Sequence, residues 1–397
     1  MRAARHLILA GVILAALTAC ASGSNDSGGT TTQASEPETP AAQTTTPART
    51  TTSPPTTEPA TTTSTSAPAT TTTTTTTTPT TAPSSTAAPQ PPETVAPFPP
   101  PTWPPYEPLP GVPGVAALTN AARPDLENVP ALAVKVDNHP GARPQWSLSL
   151  ADVIFEENVE SLTRFIAIFH SHLPSVIGPI RSARTSDMNI LAAFNRPVLA
   201  WSGGNKNVTA VVRSAAQSGI LLNVSALAIG RCYRRAAGKK APHNLVVDPP
   251  CALAAAPSAG PARAPWSFDD TYMPHGEGDG AFEIRMDGVD VVWVWDAASG
   301  RYLRHQDGRP HVAIDGTQIA ATNVVILYVA YLPSPADVRS PEAQTLGTGQ
   351  LVVHRNGVAT AGTWSRGTAT DPFVFTDTAG APIPLAGGTT FVELVRA

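Results

Sequence analysis

Two arginines lie about one helical turn apart in "GPIRSARTSDMN", residues 178–189, where an extended pattern gives way to a helical one. A guanidinium group is a planar fork of donors that suits phosphate or carboxylate, and the first N–H groups of a helix add positive partial charge. Arg181 and Arg184 are therefore candidates for an anion site at a strand-to-helix junction. The alternative is that they pair with carboxylates of the same domain, for example Glu156, Glu157 or Asp187.

Other polar residues that could line this site lie in or at the ends of apolar runs. The run "ALAVKVDN", residues 131–138, stops at a turn signal, and ligands of α/β sheets gather beyond the carboxyl ends of strands. A polar turn capped by its own Asn and Asp side chains explains this loop equally well. Besides the two arginines, the candidate ligand-binding residues are Asp137, Asn138, His139, Arg143, Arg164, His243 and Asn244.

None of these residues belongs to a diagnostic catalytic motif. The sequence contains no Gly-x-Ser-x-Gly elbow, Walker loop or His-Glu-x-x-His. His170 and His172 could share a metal, but no third ligand stands at a telling spacing. From the sequence we assign no catalytic residue, no metal and no cofactor.

Strand and helix patterns alternate around the candidate site. The predicted elements are strands at 131–138, 152–157, 163–172 and 197–201 and helices at 185–195 and 205–216. This alternation predicts an α/β domain over residues 116–262.

From residue 263 to residue 397 the pattern changes to short β runs. The turns "DGRP" and "RNGV" carry the Asp-Gly and Asn-Gly signals of two-residue hairpins. We therefore predict a second, mainly antiparallel β domain over 263–397.

Residues 1–19 have the features of a lipoprotein signal peptide. A basic start precedes an apolar run, residues 7–17, that is too short to span a bilayer. The segment "LTAC" ends at Cys20, where lipoprotein processing attaches the lipid; a cleaved signal with an incidental cysteine is the alternative. Two acyl chains anchor a protein stably, so we expect lipidation of Cys20 and a location on the extracytoplasmic face of the cell membrane.

Residues 20–115 form a predicted disordered tether rich in Thr and Pro. Its composition cannot bury enough apolar surface to offset the entropy of ordering. Its Thr/Pro-rich part from about residue 21 to residue 101, about 80 residues, spans on the order of 50 Å as a coil and up to about 250 Å when extended. The composition also permits O-glycosylation, although an unmodified spacer is equally consistent.

Charge and cysteine content restrict the class of partner. The formal net charge is −4, so no basic field is available for nucleic acid. Besides Cys20, the chain has Cys232 and Cys251, and an even pair outside the cytoplasm favours a disulfide over a redox or metal site.

Several segments in order resemble the YerB-like bacterial lipoproteins, a family of two adjoining domains of unknown function. They are "AVKVDNHPGARPQWSLSLADVIFEENVESLTRFIAIF", "IGPIRSAR", "PHNLVV", "GTGQLVVHRNGVATAGTW" and "GTTFVELV". The resemblance covers nearly all of residues 125–397. It implies an envelope lipoprotein and no particular activity. The segment "ENVESLTRF" lacks the glycines that we associate with this loop of the family.

Three functions remain in competition. The leading hypothesis is a membrane-anchored module that binds an anionic envelope component, such as a wall polymer or a lipid-linked polymer. The second is a structural or interaction module of an envelope assembly. The third is a phosphotransferase or hydrolase acting on an envelope polymer, with Asp137 or Asp152 as the base or metal ligand.

Overall fold

The computed structural model describes residues 98–397; the predicted signal peptide, Cys20 and most of the tether lie outside this range. The strands of the first half are β1 (Val115–Ala116), β2 (Ala121–Ala122), β3 (Leu132–Asp137), β4 (Val153–Val159), β5 (Leu162–Phe169), β6 (Val198–Trp201), β7 (Leu222–Ser225), β8 (Tyr233–Arg235) and β9 (Leu245–Val247). Its α-helices are α1 (Ser186–Leu191), α2 (Lys206–Gln217) and α3 (Pro249–Ala254). Its 3-10 turns are Pro124–Leu126, Pro140–Ala142, Leu148–Leu150, Ala192–Phe194 and Gly230–Cys232.

The second half of the described chain contributes strands. They are β10 (Glu277–Gly278), β11 (Ala281–Met286), β12 (Val289–Asp296), β13 (Arg301–Gln306), β14 (Arg309–Pro310), β15 (Ala320–Ala321), β16 (Asn323–Val329), β17 (Tyr331–Ser334), β18 (Asp337–Ala343), β19 (Gly347–Arg355), β20 (Val358–Arg366), β21 (Val374–Asp377) and β22 (Thr390–Arg396).

One mixed sheet of eleven strands runs through both halves of the chain. Its order is β10-β20-β19-β16-β22-β4-β5-β3-β6-β7, with β21 beside β20. The halves join where β22 pairs in parallel with both β4 and β16. A second sheet, β11 to β15, packs against one face of the first through Trp293 and Phe391.

The predicted fold class is correct for the second half and only loosely correct for the first. The second half is mainly antiparallel, and the turns at Asp307-Gly308 and Asn356-Gly357 have the positive φ angles that their sequences predicted. In the first half β3, β6 and β7 are parallel, but β4 and β5 form an antiparallel hairpin. The reason is local, because the turn residues Glu160 and Ser161 adopt φ angles of 43° and 69° and bring the two strands together directly.

Each face of the large sheet is covered by its own apolar cluster. Helices α1 and α2 cover one face, which we call the helix face, around Phe155, Trp201 and Val212. The second sheet covers the other, which we call the sheet face, around Phe165 and Trp293. Because neighbouring residues of a strand point to opposite faces, each strand of the middle of the sheet supplies side chains to both clusters.

The segment preceding β1 lies against the helix face. Phe98, Trp103 and Tyr106 pack on its apolar cluster, and the Tyr106 hydroxyl donates to Asn195 Oδ1 at 2.8 Å. The Ser214 hydroxyl of α2 donates to the carbonyl of Pro101 at 2.8 Å. Residues 98–115, which the sequence assigned to the disordered tether, are therefore ordered against the helix face.

Candidate functional site

Asp137 lies at the carboxyl end of β3 and points toward the helix face. Its Oδ2 accepts a hydrogen bond from His243 Nδ1 at 2.6 Å, and its Oδ1 accepts from the backbone N–H of His139 at 3.1 Å. Arg181 Nε lies 3.3 Å from the same Oδ2, close enough for an ion pair but not aligned for a hydrogen bond. One buried carboxylate is thus shared by an imidazole and a guanidinium group.

Two histidines form the side of this site nearest the loop after β3. The rings of His139 and His243 stack with their centroids 4.2 Å apart and their planes 9° from parallel. His139 Nδ1 accepts from the Gly141 N–H at 3.0 Å, which fixes the ring. His243 donates through Nδ1 to the Asp137 carboxylate, and in this tautomer Nε2 is an acceptor.

Three arginines meet at the junction between β5 and α1. Arg164 stands directly across from Asp137 in the β3–β5 register, and its Nη1 donates to the Ser182 carbonyl at 3.2 Å. Burial, together with the nearby charges of Arg184 and Arg181, lowers the pKa of Arg164 to about 10. Arg184 reaches the half-exposed carboxylate of Glu160 at 3.2 Å. The guanidinium groups are therefore close enough to repel one another.

The start of α1 is held by contacts with neighbouring elements. The Asp187 carboxylate accepts from the Arg184 N–H at 2.8 Å, and the Ser186 hydroxyl accepts from the Ala343 N–H of β18 at 3.0 Å. Thr185 donates to the Ser334 hydroxyl of β17. Strands β17 and β18 thus contact the helix start through the hydroxyl groups of Thr185 and Ser186.

A buried ion-pair cluster that was not predicted from the sequence lies beneath the arginines. The ammonium of Lys135 contacts the carboxylates of Glu157 and Asp187, and all three side chains are fully buried. Burial raises the pKa of Asp187 to about 7, whereas for Glu157 the attraction of Lys135 outweighs burial and keeps the pKa below its usual range. The signal for this cluster was a lysine in the middle of the apolar strand "ALAVKVDN".

Three of the nine candidate residues lie elsewhere. Asn138 follows Asp137 and points to the sheet face, where its amide donates to Thr163 at 2.7 Å. Arg143 pairs with Asp307 at 2.9 Å. Asn244 holds its own loop by donating to the carbonyls of Ala236 and Lys239. The structure brings together Asp137, His139, Arg164, Arg181, Arg184 and His243, which we call the arginine–histidine site.

Asp152 does not belong to the arginine–histidine site. It precedes β4 at the opposite end of the sheet, where its carboxylate accepts from the backbone N–H groups of His170 and Ser171 at 2.6 and 2.7 Å. Burial raises the pKa of this carboxyl. In residues 98–397 no three His, Cys, Asp or Glu side chains are arranged to hold a metal ion.

The loop that carries His243 is closed by a disulfide. Cys232 and Cys251 are joined, which ties the 3-10 turn before β8 to α3. The hairpin of β8 and β9 and the connection containing His243 lie between the two cysteines in sequence. The position of His243 beside Asp137 therefore depends on a covalently closed loop.

A second buried polar network occupies the sheet face. Arg304 of β13 pairs with Glu156 and donates to Gln306 Oε1 at 2.7 Å, while His311 Nδ1 lies 2.6 Å from Arg304 Nη1. His311 Nε2 lies 3.0 Å from Gln145 Oε1. Burial, followed by the charges of Arg304 and Arg143, holds the pKa of His311 well below its usual range.

Acidification is expected to destabilise the protein through His311. The unfolded chain takes up a proton near pH 6.5, whereas the folded chain keeps this imidazole neutral, so stability is lost as the pH falls below about 6.5. The loss is at most about 1.4 kcal/mol per pH unit. Urea denaturation between pH 7 and pH 5 measures it. His311→Gln should flatten this slope and His275→Gln, at an exposed position, should not; equal slopes in all three proteins would contradict the assignment.

Two family models match the chain. The N-terminal domain of the protein family of unknown function DUF3048 matches residues 118–262, and its C-terminal domain matches residues 282–392. The chain belongs to the DUF3048 family. The resemblance to YerB-like proteins found in the sequence is thereby confirmed.

Two comparisons connect this DUF3048 protein with one relative from Bacillus subtilis (strain 168). The chain is 29% identical over 247 residues to the protein named "Putative lipoprotein YerB", an alignment that spans 58% of this chain and 71% of the relative. The crystal structure of the YerB protein from Bacillus subtilis matches with a TM-score of 0.61 at 23% identity, covering 71% of this chain and 97% of that one. At this identity the structural match shows the shared fold. Among the described residues, no helix combines the length and the apolar character needed to cross a membrane.

Proposed function

We propose that the protein is a lipoprotein, anchored through Cys20 on the extracytoplasmic face of the membrane, that binds an anionic component of the cell envelope at the arginine–histidine site. The name of the relative from Bacillus subtilis supports the anchor. The predicted tether is long enough to hold the folded part, and with it the binding site, at a distance from the membrane surface.

The crowding of three guanidinium groups is the observation that carries the binding proposal. Burial is the first cause of the low pKa of Arg164, and the charges of Arg184 and Arg181 lower it further, so the three guanidinium groups lie close enough to repel one another. Within residues 98–397 the Nη groups of Arg181 make no hydrogen bond, and its side chain is 26% exposed. An anion that reaches this surface would relieve the repulsion and accept from the Nη groups of Arg181.

The test is retention of the full chain on isolated wall polymers and on lipid-linked precursors in vesicles. Arg181→Ala with Arg184→Ala should weaken retention by about 10- to 100-fold, because a charged hydrogen-bonded contact is lost at both positions. Arg285→Ala is the matched control, since this arginine is exposed and pairs with Asp290 on the second sheet. Unchanged retention in the double variant, with its melting temperature preserved, would refute the proposal.

Hydrolysis or phosphoryl transfer is a second candidate because of the contact between Asp137 and His243. An aspartate that orients an imidazole leaves Nε2 able to accept a proton from water or a hydroxyl group, as a general base does. Both oxygens of Asp137 already accept hydrogen bonds, which makes Asp137 a poor candidate for a metal ligand. His243 Nε2 is therefore the better candidate for the general base. His243→Gln should abolish turnover of a lipid pyrophosphate while binding persists; turnover that survives this change would remove the candidate.

A further inference from the structure

A cavity lies between the loop after β3 and the hairpin of β13 and β14. Its volume is about 580 Å³, within the usual range for small-ligand sites. The geometry points to a binding site for an organic carboxylate, that is, a carboxylate attached to an apolar group. This inference is independent of the proposed function, since no residue of the arginine–histidine site lines the cavity.

The strongest indication is a buried amide that lacks a partner. Gln306 lines the cavity and is only 3% exposed. Its Oε1 accepts from Arg304 Nη1 at 2.7 Å and from Asn138 Nδ2 at 3.1 Å, so the amide nitrogen must point away from both donors. Gln306 Nε2 finds no acceptor among residues 98–397. A buried donor without a partner is costly. Because this nitrogen has almost no accessible surface, a ligand oxygen in the cavity would accept from it once the Gln306 side chain turns toward the cavity.

The other polar groups of the cavity are mostly donors as well. Arg143 and the exposed Arg309 line it, and the one carboxylate, Asp307, already pairs with Arg143 at 2.9 Å. Both ring nitrogens of His311 are engaged by Arg304 and Gln145. A complementary ligand therefore presents acceptors and a negative charge.

The remaining lining residues of the cavity favour a carboxylate attached to an organic group over an inorganic anion. Pro140, Pro144, Pro310 and Val312 give the cavity apolar surfaces that a bare phosphate ion would leave uncovered. An alkyl or peptidyl group attached to the carboxylate would cover them and gain from burial. The ligand class that fits is an organic monocarboxylate, either a free acid or the C-terminus of a peptide.

The test is titration calorimetry with the full chain and four probes: acetyl-alanyl-alanine, its C-terminal amide, butyrate and inorganic phosphate. We expect the free peptide acid or butyrate to bind, and the amide to bind at least about tenfold more weakly than the acid. Binding of butyrate alone would identify a free acid as the source, and binding of the peptide acid alone would identify a peptide C-terminus; each supports the site. Equal binding of acid and amide, tighter binding of phosphate, or no binding would overturn it.

Three variants connect any binding to this cavity. Arg309→Ala removes an exposed donor without disturbing the core and should weaken the acid about tenfold. Gln306→Glu keeps an acceptor for Arg304 but puts a carboxylate in the place of the free donor, so binding should be lost. Arg285→Ala, the exposed control, should leave binding unchanged. If Gln306→Glu fails to fold, Arg309→Ala still decides, because unchanged affinity in that variant would contradict the site.

Discussion

Replacing Lys135 with methionine is expected to lower the free energy of unfolding by about 3–5 kcal/mol at pH 8. The Lys135 ammonium is the cation that the buried Glu157 and Asp187 share, and it lies 2.8 Å from Asp187. Without it, two carboxylates remain side by side away from water. Each must then take up a proton or open the core to solvent, and both changes are costly at alkaline pH.

The expected pH dependence distinguishes this cause from a packing defect. The pKa of Asp187 is already about 7 in the intact cluster, so loss of Lys135 should leave carboxyls that protonate readily at pH 5. Urea denaturation should therefore show a smaller penalty at pH 5 than at pH 8. Adding Glu157→Gln and Asp187→Asn to Lys135→Met should recover most of the loss, and Lys206→Met, at an exposed helix position, should change stability by no more than about 0.5 kcal/mol. A penalty below about 1 kcal/mol at pH 8 would contradict the prediction.

Loss of the disulfide between Cys232 and Cys251 is expected to have the second largest effect. The cysteines are 19 residues apart, and closing a loop of that size restricts the unfolded chain by about 3 kcal/mol. Replacing both with serine should lower the melting temperature by about 5–10 °C. Because the loop carries His243, the same change should also weaken the contact between His243 and Asp137.

Reducing agent provides the matched comparison. It should lower the melting temperature of the wild-type protein by a similar amount and leave the double serine variant unchanged. Nuclear magnetic resonance of the His243 ring would report on the contact with Asp137. Equal melting of the wild type with and without reductant would mean that the disulfide does not stabilise the fold.

Local structure could be predicted from the sequence wherever the signal was itself local. Helix α2 begins where Asn205 caps it, with the Asn205 side chain accepting from the Val208 N–H at 2.9 Å. The hairpin turn at Asp307-Gly308 follows from the two residue types. The pairing of β22 with β4 could not be predicted, because the two strands are more than 200 residues apart in the sequence. Several other apolar strands could have paired with either of them.

The candidate site was predictable in part for the same reason. The arginines and Asp137 meet because strand ends and helix starts adjoin in this type of sheet. The sequence pattern groups Asn138 with them, but alternation along β3 places Asn138 on the opposite face from Asp137. The partners of Lys135 lie on β4 and α1, so only the tertiary arrangement reveals that cluster.

The position of β22 in the large sheet determines when that sheet can be completed during protein synthesis. Ribosomes synthesise a chain from its N-terminus, so β4 and β16 both exist before residues 390–396, which must lie between them, have been added. Until then each strand exposes an unpaired edge, and such edges recruit other chains. A nascent protein of this design depends on being kept apart from its neighbours until its sheet closes.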